Sequence, residues 1–136
     1  MHFFFDVSIP KSTTAANPHR EALLLSFGEI RRVEITIPIG HKGKAHLQLL
    51  DHEFQIYPLS RGEDYHGDGC QVSFSDQYLL EGGQYGLAAV GWNTDTASDH
   101  SFLVGVDVEE PDAMTINASA KTLASLKTLV GEQIEV

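Results

Sequence analysis

The chain has 136 residues, enough for one domain that buries a sizeable core without a disulfide or metal staple. Its 42% hydrophobic content excludes a disordered or fibrous chain, and its formal charge of -10, from 19 acids against 9 bases, makes nucleic acid and membrane poor partners. The lone Cys70 excludes an intrachain disulfide and a cysteine-based zinc site, and a free thiol suits a reducing compartment.

Met1 leads directly into His2-Phe3-Phe4-Phe5-Asp6, which lacks the basic region and long apolar run of a signal peptide. No stretch approaches the ~18 apolar residues of a transmembrane helix. Phe3, Phe5, Val7 and Ile9 alternate with His2, Phe4, Asp6 and Ser8, the period of a strand with one apolar face, and Pro10 ends it. Lys11 to Arg20 is polar and carries the turn signal Asn17-Pro18. Glu21 to Phe27 is a mostly apolar run closed by Gly28. Ile30 to Ile39 alternates again, with Val33, Ile35 and Ile37 on one face, and is punctuated by Pro38 and Gly40. His41 to Lys44 reads as a hairpin loop around Gly43, followed by a strand with Ala45, Leu47 and Leu49 on one face.

Phe54 to Pro58 is another short strand, and Arg61 to Gly69 is the longest loop. Val72 and Phe74 mark a strand, Tyr78 to Leu80 a short one or a turn, and Gly82-Gly83 a hairpin turn. Tyr85 to Trp92 reads as a central strand because its residues are small or apolar. Asn93 to His100 is a polar loop, and Phe102, Val104, Val106 and Val108 line the last strand. About eight short strands with regular turn signals predict an all-β fold, an antiparallel β-sandwich of jelly-roll type, over residues 1–110. Residues 111–136 read as a linker and a short amphipathic C-terminal helix over 117–130, with Asn117 as cap, Gly131 as stop, and Ile116, Leu123, Leu126 and Val130 on one face.

The searches for chemistry return little. His2, His19, His41, His46, His52, His66 and His100 show neither a helical zinc-protease spacing nor a His-x-His pair, so they read as surface or loop histidines and no metal is expected. A constellation of His46, His52 and Glu53 is compatible with spacing alone. The carboxylates of Glu63 to Asp68, and Asn93, Asp95 and Asp99, read as solvated loops without a calcium-binding pattern. Cys70 reads as a small buried hydrophobe. Asp51-His52 and Asp99-His100 are neighbours, which on a strand face opposite ways and form no dyad. No nucleophile elbow or phosphate-binding loop occurs, so no catalytic residue and no cofactor are assigned and the chain reads as a non-enzyme.

An ordered set of segments runs through residues 2–108. It comprises Phe3-Phe4-Phe5-Asp6-Val7, Ala16-Asn17-Pro18, Gly28-Glu29-Ile30-Arg31-Arg32-Val33-Glu34, Ile37-Pro38-Ile39-Gly40, Gln55-Ile56-Tyr57-Pro58, Ala88-Ala89-Val90-Gly91-Trp92-Asn93 and Asp99-His100. The set resembles a family of short proteins encoded in tailed phages and prophages, and a β-sandwich of this size is similar to capsid decoration proteins. The resemblance implies a virion accessory protein, assembled in the host cytoplasm, that binds the major capsid protein or another virion protein, with a homotrimer as one arrangement. It carries no catalytic residue over. Candidate partner contacts are Phe4, Leu50 and Leu103, apolar positions on otherwise polar strand faces, with Trp92 and the helix face Leu123, Leu126 and Val130. Trp92 reads as a rim or core residue, or as an exposed aromatic for sugar or protein contact. Two alternatives follow: a carbohydrate- or receptor-binding module using Trp92, Tyr57 or Tyr65, and a metal-dependent cupin-like enzyme.

Overall fold

The period-2 alternation becomes strand after strand because each apolar row needs a second sheet to exclude water from it. The structure, a computed structural model, describes residues 1–80 and 86–111. Eight strands are formed among them: β1 (His2–Ile9), β2 (His19–Leu24), β3 (Glu29–Ile37), β4 (Ala45–Asp51), β5 (Phe54–Tyr57), β6 (Cys70–Leu79), β7 (Gly86–Asn93) and β8 (His100–Glu109). They build two antiparallel four-stranded sheets, ordered β1-β8-β3-β6 and β2-β7-β4-β5. The Gly82-Gly83 turn and the C-terminal helix with Leu123, Leu126 and Val130 lie outside the described residues.

In β1, β3, β4 and β8 the inward rows are those the alternation marks. Val7 and Ile9 of β1, Val33, Ile35 and Ile37 of β3, and Phe102, Val104, Val106 and Val108 of β8 come from one sheet. Leu23 of β2, Ala45, Leu47 and Leu49 of β4, Ile56 of β5, and Leu87 and Ala89 of β7 come from the other. Together they form one sandwich core, and burying each large aliphatic side chain contributes roughly 1.5–3 kcal/mol.

Several local expectations are corrected. The 38–44 segment is not a hairpin, because β3 and β4 belong to different sheets. Among the named strands, only β4 and β5 are joined by a hairpin within one sheet. Residues 70–79 form one continuous strand rather than two pieces. Cys70 is exposed, because it opens β6, an edge strand. Glu29, whose burial the sequence does not indicate, is fully buried where β3 slips register between Ile30 and Arg32. Arg31 Nε lies 2.8 Å from the Glu29 carboxylate, supplying the opposite charge that a buried acid requires.

The open edges on one side of the sandwich are latched by tyrosines. Tyr57 of β5 donates its hydroxyl to Asp76 of β6 at 2.6 Å, and Tyr78 of β6 donates to Asp51 of β4 at 2.5 Å. Burial and the Asp76 carboxylate together push the Tyr57 hydroxyl far above its ordinary range, so it remains a donor.

The crossing connections gather four loops at one end: 10–18, 38–44, 58–69 and 94–99. Backbone hydrogen bonds tie them together, with Ser12 N–H donating to Asp95 O, Thr94 N–H to Lys44 O, and Gly43 N–H to Gly67 O. Close packing near this end depends on Gly91, where a Cβ would stand 2.6 Å from the His46 carbonyl oxygen and 2.7 Å from Ile9 Cδ1. Gly91→Ala is therefore expected to cost about 1–3 kcal/mol, because β4 backbone and a core isoleucine would both have to shift. Urea unfolding compared with wild type measures it; an unchanged midpoint would contradict this packing.

Candidate functional site

The 58–69 loop returns to the edge of β4 beyond the short β5. Leu47 and Tyr65 form an antiparallel bridge, exchanging N–H to O bonds of 3.0 and 2.8 Å. Leu47 is buried and Tyr65 packs on the core, so the alternate residues on either side of Tyr65 turn outward. That places Asp64 and His66 on the same face as His46. Trp92 of β7 is directly opposite His46 in the β4–β7 ladder, on the same outer face.

These four side chains form one cluster. The Asp64 Oδ1 lies 2.6 Å from His46 Nδ1 and 2.8 Å from His66 Nδ1, so one carboxylate accepts from both imidazoles. The two imidazole rings are 5.2 Å apart, and the indole of Trp92 stacks on His46 at 5.1 Å with 13° between planes. One ligand atom from each of His46, Asp64 and His66 lies within 4.8 Å of the others, which is metal-ligand spacing. Among the described residues this is the group able to hold a metal ion. The side chains of His46 and Asp64 are 20% and 15% exposed, while His66 is 52% exposed, so the cluster is shielded on its floor and open to solvent at one ligand.

The structure does not bring His46 together with His52 and Glu53. His46 stands near the start of β4 and His52 just past its end, about 20 Å apart along an extended strand. Glu53 pairs with Arg20 instead. Asp51 and His52 do meet, at 2.8 Å, because His52 lies in the β4–β5 turn with φ 57° and not on a strand. His100 pairs with Asp95 at 2.9 Å, and Asp99 accepts from the backbone N–H of Lys11. The partners that sequence reasoning missed, Asp64 and His66, lie in a loop that reads as solvated. Their Asp-x-His spacing, which puts both on one face of an extended segment, is the signal that could have found them.

A second polar group sits beneath the same four loops. Asn93 is fully buried; its side-chain amide donates to Ile9 O and Ser98 O, and its Oδ1 accepts from Asp95 N–H. The N–H of Ala97 and the His100 imidazole draw the Asp95 carboxyl down to about 2. The N–H of Gly40 likewise holds Asp68 below the usual carboxylate range. His41 is buried, with Nε2 2.8 Å from Ser101 O and its ring against His100 and Phe102. Nδ1 of His41 is buried and finds no hydrogen-bond partner among the described residues. Burial lowers the His41 pKa, against the opposing pull of the Ser101 carbonyl.

The candidate contact residues occupy different places. Phe4 is 68% exposed on edge strand β1, lying over Gly105 and edge-on to His2. Leu103 is 39% exposed on the neighbouring β8, opposite Asp6. Leu50 is half-buried on the outer face of the other sheet, opposite Ala88. Trp92 is half-buried under its stack with His46. No protein-family model, curated protein or solved structure matches the chain.

The buried His41 gives the fold an acid sensitivity of definite sign. Its folded pKa lies below the unfolded value of 6.5, so the unfolded chain binds the extra proton. Its contribution is complete above that value and is lost as pH falls through the folded pKa. Stability, followed by urea unfolding, should therefore drop between neutral pH and pH ~5.5. His41→Gln, which keeps a donor for Ser101 O but does not titrate, should flatten that slope. Equal slopes in the two proteins would exclude His41 as the source.

Proposed function

We propose that the chain is a non-catalytic virion accessory protein with a jelly-roll fold, decorating the outer surface of a phage head through contacts with the major capsid protein. The observation that carries this reading is the strand order. Two sheets ordered β1-β8-β3-β6 and β2-β7-β4-β5, with each sheet taking strands from both halves of the chain, agree with the double Greek key of jelly rolls. That architecture recurs in viral capsid domains and agrees with the phage-like motifs. The link from fold to function is one of kinship and stands on the contacts it predicts.

The contact surface is assigned to the β1 edge. Phe4 and Leu103 are diagonal neighbours on the outer face of the β1–β8 pair, and both are exposed. Among the described residues, β1 is an edge strand that pairs only with β8, leaving its other side available to extend onto a neighbouring sheet. Each such contact is small, but copies repeated across a capsid lattice, as trimers or singly, gain from avidity.

The two other readings have less support. Of the aromatic residues considered for sugar contact, Tyr57 is 1% exposed, Tyr65 packs on the core, and one face of Trp92 is covered by His46. A cupin-like enzyme would need its metal ligands facing into the sandwich, whereas the space between the sheets is filled by aliphatic side chains and the histidine cluster lies outside.

The test is association with particles. Tailed-phage particles purified from a host encoding this chain should contain it, by mass spectrometry, at a stoichiometry comparable to the capsid subunit. Phe4→Asp should remove it from particles while leaving its thermal unfolding unchanged. Absence of the wild-type chain from purified particles would overturn the proposal.

A further inference from the structure

Among the described residues, four histidine–carboxylate contacts join one imidazole to one carboxylate: His2 with Asp107, His19 with Glu21, His52 with Asp51, and His100 with Asp95. The cluster on the outer face of β4 differs in chemistry, because two imidazoles converge on one carboxylate. We infer that His46, Asp64 and His66 form a binding site for a divalent transition metal of the zinc class, which clips the 58–69 loop onto β4. Such a site is independent of any role on a virion.

The donor set fits such an ion. Imidazole nitrogen and carboxylate oxygen bind Zn²⁺ at roughly 2.0–2.2 Å, and three protein ligands with one open position make an accessible site. Donors around a tetrahedral ion stand roughly 3.3 Å apart at those bond lengths. One ligand atom from each residue lies within 4.8 Å of the others, and Nδ1 of both imidazoles stands 2.6 to 2.8 Å from Asp64 Oδ1. Small side-chain rotations, with the imidazole proton held on the nitrogen that does not ligate, therefore place the three donors around one ion. Hard oxygen-seeking cations are a poor match, because two of three donors are nitrogen and only one is a carboxylate.

The surroundings are also those of a built site. His46 is carried on a strand in the middle of its sheet and is held by the Trp92 stack. Asp64 and His66 flank the Leu47–Tyr65 bridge, and the next residue, Gly67, accepts from Gly43 N–H. The backbone on both sides of the cluster is therefore fixed before any ion arrives, which limits the ordering cost of binding. His66, the most exposed ligand, provides the entry path. The net charge of -10 concentrates cations near the surface.

Trp92 is the single tryptophan, and its ring lies 5.1 Å from that of His46, so its emission reports on this site. The experiment titrates ZnCl2 into chelator-stripped full-length protein, by calorimetry and by tryptophan emission, with CuCl2 as a quenching probe. The expected result is one zinc per chain in the micromolar range, with a matching change in Trp92 emission and a higher melting temperature. His66→Ala, at a half-exposed loop position, and Asp64→Asn, nearly isosteric, should each weaken binding at least about tenfold. His52→Ala, which removes an imidazole at the far end of β4 from the cluster, should leave binding unchanged. No zinc response up to about millimolar concentration would overturn the site, leaving Asp64 as a hydrogen-bonded clamp between two imidazoles. Wild-type affinity in both His66→Ala and Asp64→Asn would overturn it equally.

Discussion

The structure depends on one constraint: two sheets must present complementary apolar rows to a single dry layer. Val33, Ile35 and Ile37 on one side and Leu47, Leu49 and Ala89 on the other have no other place to bury. Strands that follow one another in the chain mostly sit in opposite sheets, so the connections arch over the ends of the sandwich. The arches explain why loops distant in sequence share hydrogen bonds, as Ser12 does with Asp95 and Gly43 with Gly67. They also explain why polar groups collect at one end, where Asn93 and Asp68 bond the loop backbone of Ser98 and Gly40, and His41 bonds the carbonyl of Ser101 near the start of β8.

The histidine cluster is a by-product of the same arrangement. Strand β5 is short, leaving part of the β4 edge unpaired, and the 58–69 loop fills that gap through Tyr65. Once Tyr65 is seated toward the core, strand geometry turns Asp64 and His66 outward beside His46. Trp92 completes the row from the next strand. A loop that is anchored by backbone pairing and bears ligating side chains combines the precision of a strand with access to solvent. The outer face of the other sheet offers a different surface, with Phe4 and Leu103 on and beside the edge strand β1 of the described sheet.

Much of the architecture is legible in the residues. Alternation in Phe3 to Ile9, Ile30 to Ile37 and Phe102 to Val108 marks strands and their buried faces, because period-2 burial is a local property. Sheet membership is not legible at 38–44, since glycine and a polar loop suit an arch as well as a hairpin. The burial of Glu29 is hidden because a register slip reorients it, and the Asp51–His52 contact because a left-handed turn residue breaks the alternation. His46 and His66 are each visible, but the link between them is the bridge from Leu47 to Tyr65, which is remote in sequence and carries no local signature. Cys70 departs from the burial habit of its residue type because it opens an edge strand.

The pairing that sends β3 and β4 to different sheets around one core underlies all of this. Backbone nuclear Overhauser effects on isotope-labelled protein measure that pairing directly. Cross-strand contacts are predicted between Ile35 and Val104, between Val33 and Phe74, and between Leu49 and Ala89. Contacts pairing β3 with β4 across Gly43, as in a hairpin, would contradict the two-sheet arrangement and with it the assembly of both the loop cluster and the histidine site.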